Sequence, residues 1–253
     1  DYIILLEKPI SPVREELYEL LDARKRCGGK ILICHVLRYA PAFLKIKEVL
    51  DSGAIGNLVS VESTEQVAYW HYAHSFVRGN WRNDAQTSPM ILQKCCHDLD
   101  LLQYYIGARC ESVYSTGGLS CFKAKNRPEG AADRCENCKY KFTCPYSAER
   151  IYVENWKKDG CPADSWVYNV VCENVPNTEE KLRKAYESGE YGKCVYACDN
   201  NVVDNQSISM MFENGVSAHL EMIAFTEKMG RKMSFYGDKG EIKFDETEGV
   251  FKV

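Results

Sequence analysis

The 253 residues carry 32 basic and 36 acidic side chains, a formal charge of −4, and 45% hydrophobic content, enough for one large domain or one domain plus part of another. The charges are spread without a basic block to neutralise phosphates, which argues against nucleic acid and anionic membrane as partners. No run of about 18 apolar residues occurs, and the opening DYIILLEKPI begins on an acid, so neither a membrane span nor a signal peptide is expected. Thirteen cysteines is an odd count in a chain that can build its own core. They read as reduced thiols of a cytoplasmic protein, not as a disulfide framework.

Ile3 to Leu6 forms a short apolar run ending at Glu7-Lys8-Pro9, the pattern of a buried strand delivering polar residues at its carboxyl end. A helix follows, capped by Ser11 with Pro12 in its first turn. Val13, Leu17, Leu20 and Leu21 form its apolar stripe, and Gly28-Gly29 stop it. Ile31 to Val36 is a second buried strand, completing a parallel, right-handed βαβ unit. After Arg38-Tyr39-Ala40-Pro41 comes a helix ending at Gly53, then longer strands joined by hairpins at Glu213-Asn214-Gly215 and Gly237-Asp238-Lys239-Gly240. A segment rich in Pro and Cys, from about 121 to 198, interrupts them with two short helices, near 147–157 and 178–188.

The expected fold class is α+β. A C-terminal domain (41–253) with a largely antiparallel open sheet and helices on one face follows a βαβ remnant (1–40). One such unit cannot cover both faces of its own sheet. No two glycines stand two positions apart, so the dinucleotide-binding glycine fingerprint does not occur.

Three segments in order resemble the Gfo/Idh/MocA oxidoreductase family. They are Glu7-Lys8-Pro9, HVLRYAPAFLKIKEVLDSGAIGNLVSVE from His35, and CCHDLDLLQYYIG from Cys95. The resemblance returns with DNNVVDNQ and YGDKGEI. It implies that residues 1–40 are the end of a Rossmann domain whose glycine-rich turn lies outside this chain, which alone should bind no NAD or NADP and be inactive. It further implies a cis Pro9 peptide and Glu7, Lys8 and Pro9 at the cofactor. The substrate implied is a sugar, inositol or related polyol, and the open sheet serves as a homo-oligomer interface.

His97 is placed by helical geometry as well. On a helix from about Pro89 to Ile106, Leu92, Cys95, Leu99, Leu102 and Ile106 make the core stripe, and His97 lies nearly opposite among Gln93, Lys94, Asp100, Leu101 and Tyr104. Hydride transfer from a carbinol needs a base for the hydroxyl proton and a cation for the developing oxyanion, roles that a histidine titrating near neutrality and a lysine fill. By the resemblance, His97 is the acid–base group and Lys8 and Lys94 its cationic neighbours. Gln93 stands where the family's inositol dehydrogenase-like members carry an aspartate. Arg38, Gln93 and Asp100 are expected to contact substrate. Trp81 and Arg82, in a loop with His71, His74 and Arg78, are side chains suited to stacking on or hydrogen-bonding to sugars.

Cys135-x2-Cys138-x5-Cys144 in the interrupting segment has the spacing of thiolate ligands, with Cys161 as the expected fourth around a structural zinc. Cys194 and Cys198, read as part of a strand, are discounted as a pair. Two other functions stay open: a non-catalytic binding or oligomerisation module with a zinc loop, and a nicotinamide-dependent glycosidase, an activity the family also contains.

Overall fold

The computed structural model describes residues 2–172 and 176–253. It begins with the expected βαβ unit: β1 (Ile3–Leu6), α1 (Arg14–Cys27) and β2 (Lys30–Ile33), paired in parallel from Ile3↔Lys30 to Leu6↔Ile33. Gly28, at φ +63°, ends α1 in the left-handed conformation that glycine adopts freely. The start differs from expectation. Val13 occupies the N-cap position, and the Ser11 hydroxyl accepts from the Val13 N–H at 2.9 Å and donates to Glu16. No residue of α1 is buried, and Ile3, Leu5, Leu21 and Leu32 are exposed, because one helix and two strands cannot cover both sheet faces. The Lys8–Pro9 peptide is cis, as the resemblance implied.

The second sheet has seven strands: β3 (Leu58–Gln66), β4 (Cys110–Gly118), β5 (Asn205–Phe212), β6 (Ser217–Ile223), β7 (Gly230–Gly237), β8 (Glu241–Asp245) and β9 (Val250–Lys252). Their spatial order is β4-β5-β6-β3-β7-β8-β9, and every pairing is antiparallel except β3 with β6. Both hairpins form where expected, and Gly215 takes the first turn at φ +82°. Strand alternation sends Val61, Ser63 and Glu65 of β3, with Leu220, Met222 and Phe235, to the covered face. The opposite face presents Ser60, Glu62, Tyr114, Ser209, Met211 and His219. The chain is thus α+β with a largely antiparallel sheet, as its pattern indicated.

Helix α2 (Pro41–Asp51) seats Phe43 and Ile46 in the core. Helix α3 (Tyr69–Tyr72) runs on as a wider π turn over Ala73–Arg78. The long helix expected from Pro89 is broken into α4 (Met90–Gln93) and α5 (Cys96–Ile106). The break at Lys94-Cys95 shifts the phase of burial, so the inward face of α5 is Asp98, Leu101, Leu102, Tyr105 and Ile106, while Leu99 is only partly covered.

The interrupting segment contains both expected helices. The first is a π turn over Glu149–Glu154 leading into α6 (Asn155–Lys158). The other, α8 (Glu179–Ser188), is capped by Thr178, whose hydroxyl accepts from the Lys181 N–H. Between them lies α7 (Trp166–Cys172), which no stripe in the sequence announced. The segment is no loose insertion, since Phe122, Ile151, Tyr152 and Val195 join one core with Tyr72 and Phe76.

Candidate active site

The end of β1, the end of β2 and the start of α5 meet at one place. Lys8 reaches across to donate from Nζ to the Gln93 carbonyl at 2.9 Å. His35, just after β2, lies edge-on to His97 with ring centroids 6.0 Å apart. Lys8, Pro9, Ile33, His35, Leu92 and Cys96 line a small cavity here. His97 is half-buried, and its Nδ1 is buried without a hydrogen-bond partner. Burial, then the charges of Lys8, Arg231, His35 and Lys94, push its pKa down to about 4. The expectation of a near-neutral titration is thereby corrected: the imidazole is neutral across the physiological range.

Beneath His97 lies a charge network the sequence reading missed. Glu65 is fully buried on β3, with Lys94 Nζ at 3.2 Å and Arg231 at 2.8 Å. Arg231, on the neighbouring strand β7 and in register with Glu65, also binds the buried Asp98 of α5 at 2.7 Å. The Glu65 contacts are ion pairs without hydrogen-bond alignment, and neither of its oxygens has a well-directed donor. Burial and the Asp98 charge raise Glu65 to about 7, against the opposing pull of Arg231 and Lys94. The signal was available in part, because Glu65 shares the inward parity of Val61 and Ser63.

Of the expected substrate residues, Arg38 and Asp100 are joined in a two-pronged pair at 2.7 and 2.6 Å, with His35 Nε2 3.7 Å from the same carboxylate. Arg38 also lies over the Tyr104 ring at 4.7 Å. Gln93 is buried, and its side chain accepts from Ser88 at 2.8 Å. Because the helix breaks directly after it, Gln93 is not one regular turn before His97. The Trp81–Arg82 loop goes elsewhere: Arg82 pairs with Asp199 at 2.6 Å, and among the described residues no hydrogen bond, ion pair or ring contact ties Trp81 or Arg82 to His97. His71 and His74 are core residues, His71 edge-on to Trp166 and His74 stacked with Tyr191, and burial holds them down at about 3 and about 4.

All thirteen cysteines are free thiols. Cys135, Cys138 and Cys144 line one cavity, but Cys161 is exposed in the turn after α6 and is not on its wall, so the expected quartet does not form. Among the described residues no three His, Cys, Asp or Glu side chains are already drawn together as a metal-holding set. The stretch containing Cys194 and Cys198 is a turn, not a strand, and it places Cys194 on that same cavity.

An antiparallel sheet with one helix-covered face follows a parallel βαβ unit, an architecture matched by the C-terminal alpha/beta domain of an oxidoreductase family. The chain belongs to the Gfo/Idh/MocA oxidoreductase family, whose C-terminal alpha/beta domain matches residues 47–251. It is 23% identical over 250 residues to the putative oxidoreductase YteT of Bacillus subtilis, covering 96% of this chain and 54% of that protein. It is 27% identical over 105 residues to inositol 2-dehydrogenase 2 of Saccharopolyspora erythraea, covering 41% of this chain and 28% of that protein. Among solved structures it resembles scyllo-inositol dehydrogenase from Lactobacillus casei with bound NAD(H) and scyllo-inositol. The TM-score is 0.56 at 14% identity, covering 96% of this chain and 50% of that one. The chain therefore spans about half the length of the relatives that match it end to end. Among the described residues no helix is long and apolar enough to cross a membrane.

Proposed function

We propose that the protein is an NAD- or NADP-dependent dehydrogenase of a sugar, inositol or related polyol, with His97 as its acid–base group. The observation that carries this reading is His97 itself: neutral, half-buried, with an unpartnered Nδ1, beside Lys8 and Lys94 at the junction of the βαβ unit and the large sheet. The residues fit a nicotinamide at the Glu7-Lys8-Pro9 strand end, where the cis peptide turns the chain and the Lys8 ammonium is held against Gln93. A bound nicotinamide supplies the hydride acceptor or donor.

The chain's own residues supply the proton chemistry. A neutral imidazole accepts the hydroxyl proton of a carbinol, and the Lys8 and Lys94 ammoniums stabilise the oxyanion that forms. The same two cations disfavour a free imidazolium, so His97 stays a base until substrate brings compensating negative charge. Arg38 and Asp100, locked together, orient hydroxyl groups at the rim. The uncovered sheet face, with Tyr114, Met211 and His219, is the surface for self-association.

The test uses the protein at full length, assayed with NAD and NADP against a panel of polyols. His97→Ala should lower turnover by about 10²–10⁴ while leaving substrate binding much less affected. Near-normal turnover in a folded variant would end the assignment.

A further inference from the structure

Away from His97, a cavity between the interrupting segment and α3 is walled by Cys135, Cys138, Cys144 and Cys194 together with Arg78. Arg78 is 2% exposed, and it spans the two cysteine-bearing stretches. Its Nε donates to the Lys193 carbonyl at 2.7 Å. One terminal nitrogen donates to the Tyr146 carbonyl at 2.7 Å and faces the Cys135 sulfur at 3.4 Å. The other terminal nitrogen, NH1, is buried with no partner at all. The titratable side chains facing this guanidinium are Cys135, Tyr152, Cys198 and Cys144, and among the described residues no carboxylate forms an ion pair with it. A buried arginine cannot shed its proton and is costly to leave uncompensated. A metal-bound thiolate would supply the counter-charge it lacks.

The backbone also brings the two cysteine-bearing stretches together. Cys135 donates its N–H to Gly192 at 2.9 Å and Cys194 donates to Asp133 at 2.8 Å, so two stretches far apart in sequence lie side by side.

We propose that Cys135, Cys138, Cys144 and Cys194 bind one tetrahedral zinc ion, with Arg78 as the buried counter-cation. The four thiols line one cavity without yet being drawn together, and metal binding requires their side chains to close onto a common centre. Binding exchanges four S–H protons for one Zn²⁺, leaving a site of net charge −2 that the Arg78 guanidinium half-neutralises. Cys194 thereby takes the place expected for Cys161. The zinc ties the turn at 135–144 to the strand-entry segment at 194, and its role is structural, because no ligand position is left open.

The experiment loads the purified, reduced protein with Co²⁺ and then displaces it with Zn²⁺, measuring metal content by mass spectrometry. The expected result is about one ion per chain and a near-ultraviolet thiolate-to-metal charge-transfer band. Cys194→Ser should abolish the band, and Cys161→Ser should leave it intact. Arg78→Met should weaken Zn²⁺ affinity about 10–100-fold, the usual effect of losing a group that supports the ligands. Absence of metal and band in the wild-type protein overturns the proposal whether or not the variants fold. So does a Cys161→Ser variant as deficient as Cys194→Ser, or a Cys135–Cys194 disulfide in the reduced protein's place.

Discussion

Replacing Arg231 by methionine should be among the most destabilising single changes in the sheet domain. The guanidinium stands between two carboxylates that are fully buried, 2.8 Å from Glu65 and 2.7 Å from Asp98. Removing it leaves Lys94, at 3.2 Å, as the remaining cation at Glu65, and leaves Asp98 facing a like charge. Breaking a buried pair in this way costs about 3–5 kcal/mol. At about 2–4 °C per kcal/mol for a domain of this size, the melting temperature should fall by roughly 6–20 °C. The loss carries a pH signature. Without Arg231, Glu65 is held further above its unfolded value, so the folded state binds the extra proton. Stability then falls as pH rises from the unfolded carboxylate range toward the raised folded value, at up to about 1.4 kcal/mol per pH unit. Wild-type Glu65 already stands at about 7, so below that pH both proteins lose this stability alike; the deficit should therefore be smaller at pH 7 than at pH 9, and Glu65→Gln in the same background should recover part of it. Thermal melts at both pH values decide the matter. A loss below about 1 kcal/mol, or one independent of pH, would refute the reasoning.

Two other outcomes are expected. His71 and His74 are buried and held near 3 and 4, so their contribution is complete above about pH 6.5, where the unfolded chain no longer takes up their protons. As pH falls from about 6.5 to about 4.5 they should together remove up to about 2.7 kcal/mol per pH unit, while Glu65, shifted the other way, offsets about half of that. Urea melts across this range should show the net fall, and His74→Gln should flatten it; an unchanged slope would contradict the burial argument. Gln93→Asp places a carboxylate at the buried position whose backbone carbonyl Lys8 binds and should raise the His97 pKa, moving the acidic limb of the rate profile upward. A limb that stays in place would show that position 93 does not act on the imidazole.

What the sequence revealed was local. The parallel pairing of the βαβ unit, the two hairpins and the glycine that ends α1 depend on residues within a few positions of one another, and each formed as read, although the two βαβ strands read as buried are largely exposed. What escaped depended on pairings across long stretches of chain. Glu65 sits in VESTEQ, a string that reads as a polar strand, and is buried only because β3 lies at the middle of a sheet roofed by α5. Cys194 was set aside as part of a strand, whereas a turn brings it to Cys135. Periodicity carried straight through Lys94-Cys95, where the helix in fact breaks, because Leu92, Cys95 and Leu99 fit one stripe by spacing alone.

That break links the fold to the chemistry. It releases Lys94 from a regular helix surface, and the ammonium is then held by Glu65 from the sheet below while still acting on both His97 and His71. Arg231 performs the same double duty from β7, anchored by Glu65 and Asp98 and depressing His97 as well. The neutrality of His97 at physiological pH is thus imposed first by burial and then by Lys8, with Arg231 and Lys94, both held by buried carboxylates, adding to it. The imidazole belongs to α5, but part of its downward shift comes from a cation held in place by the pairing of Glu65 with Arg231 across β3 and β7.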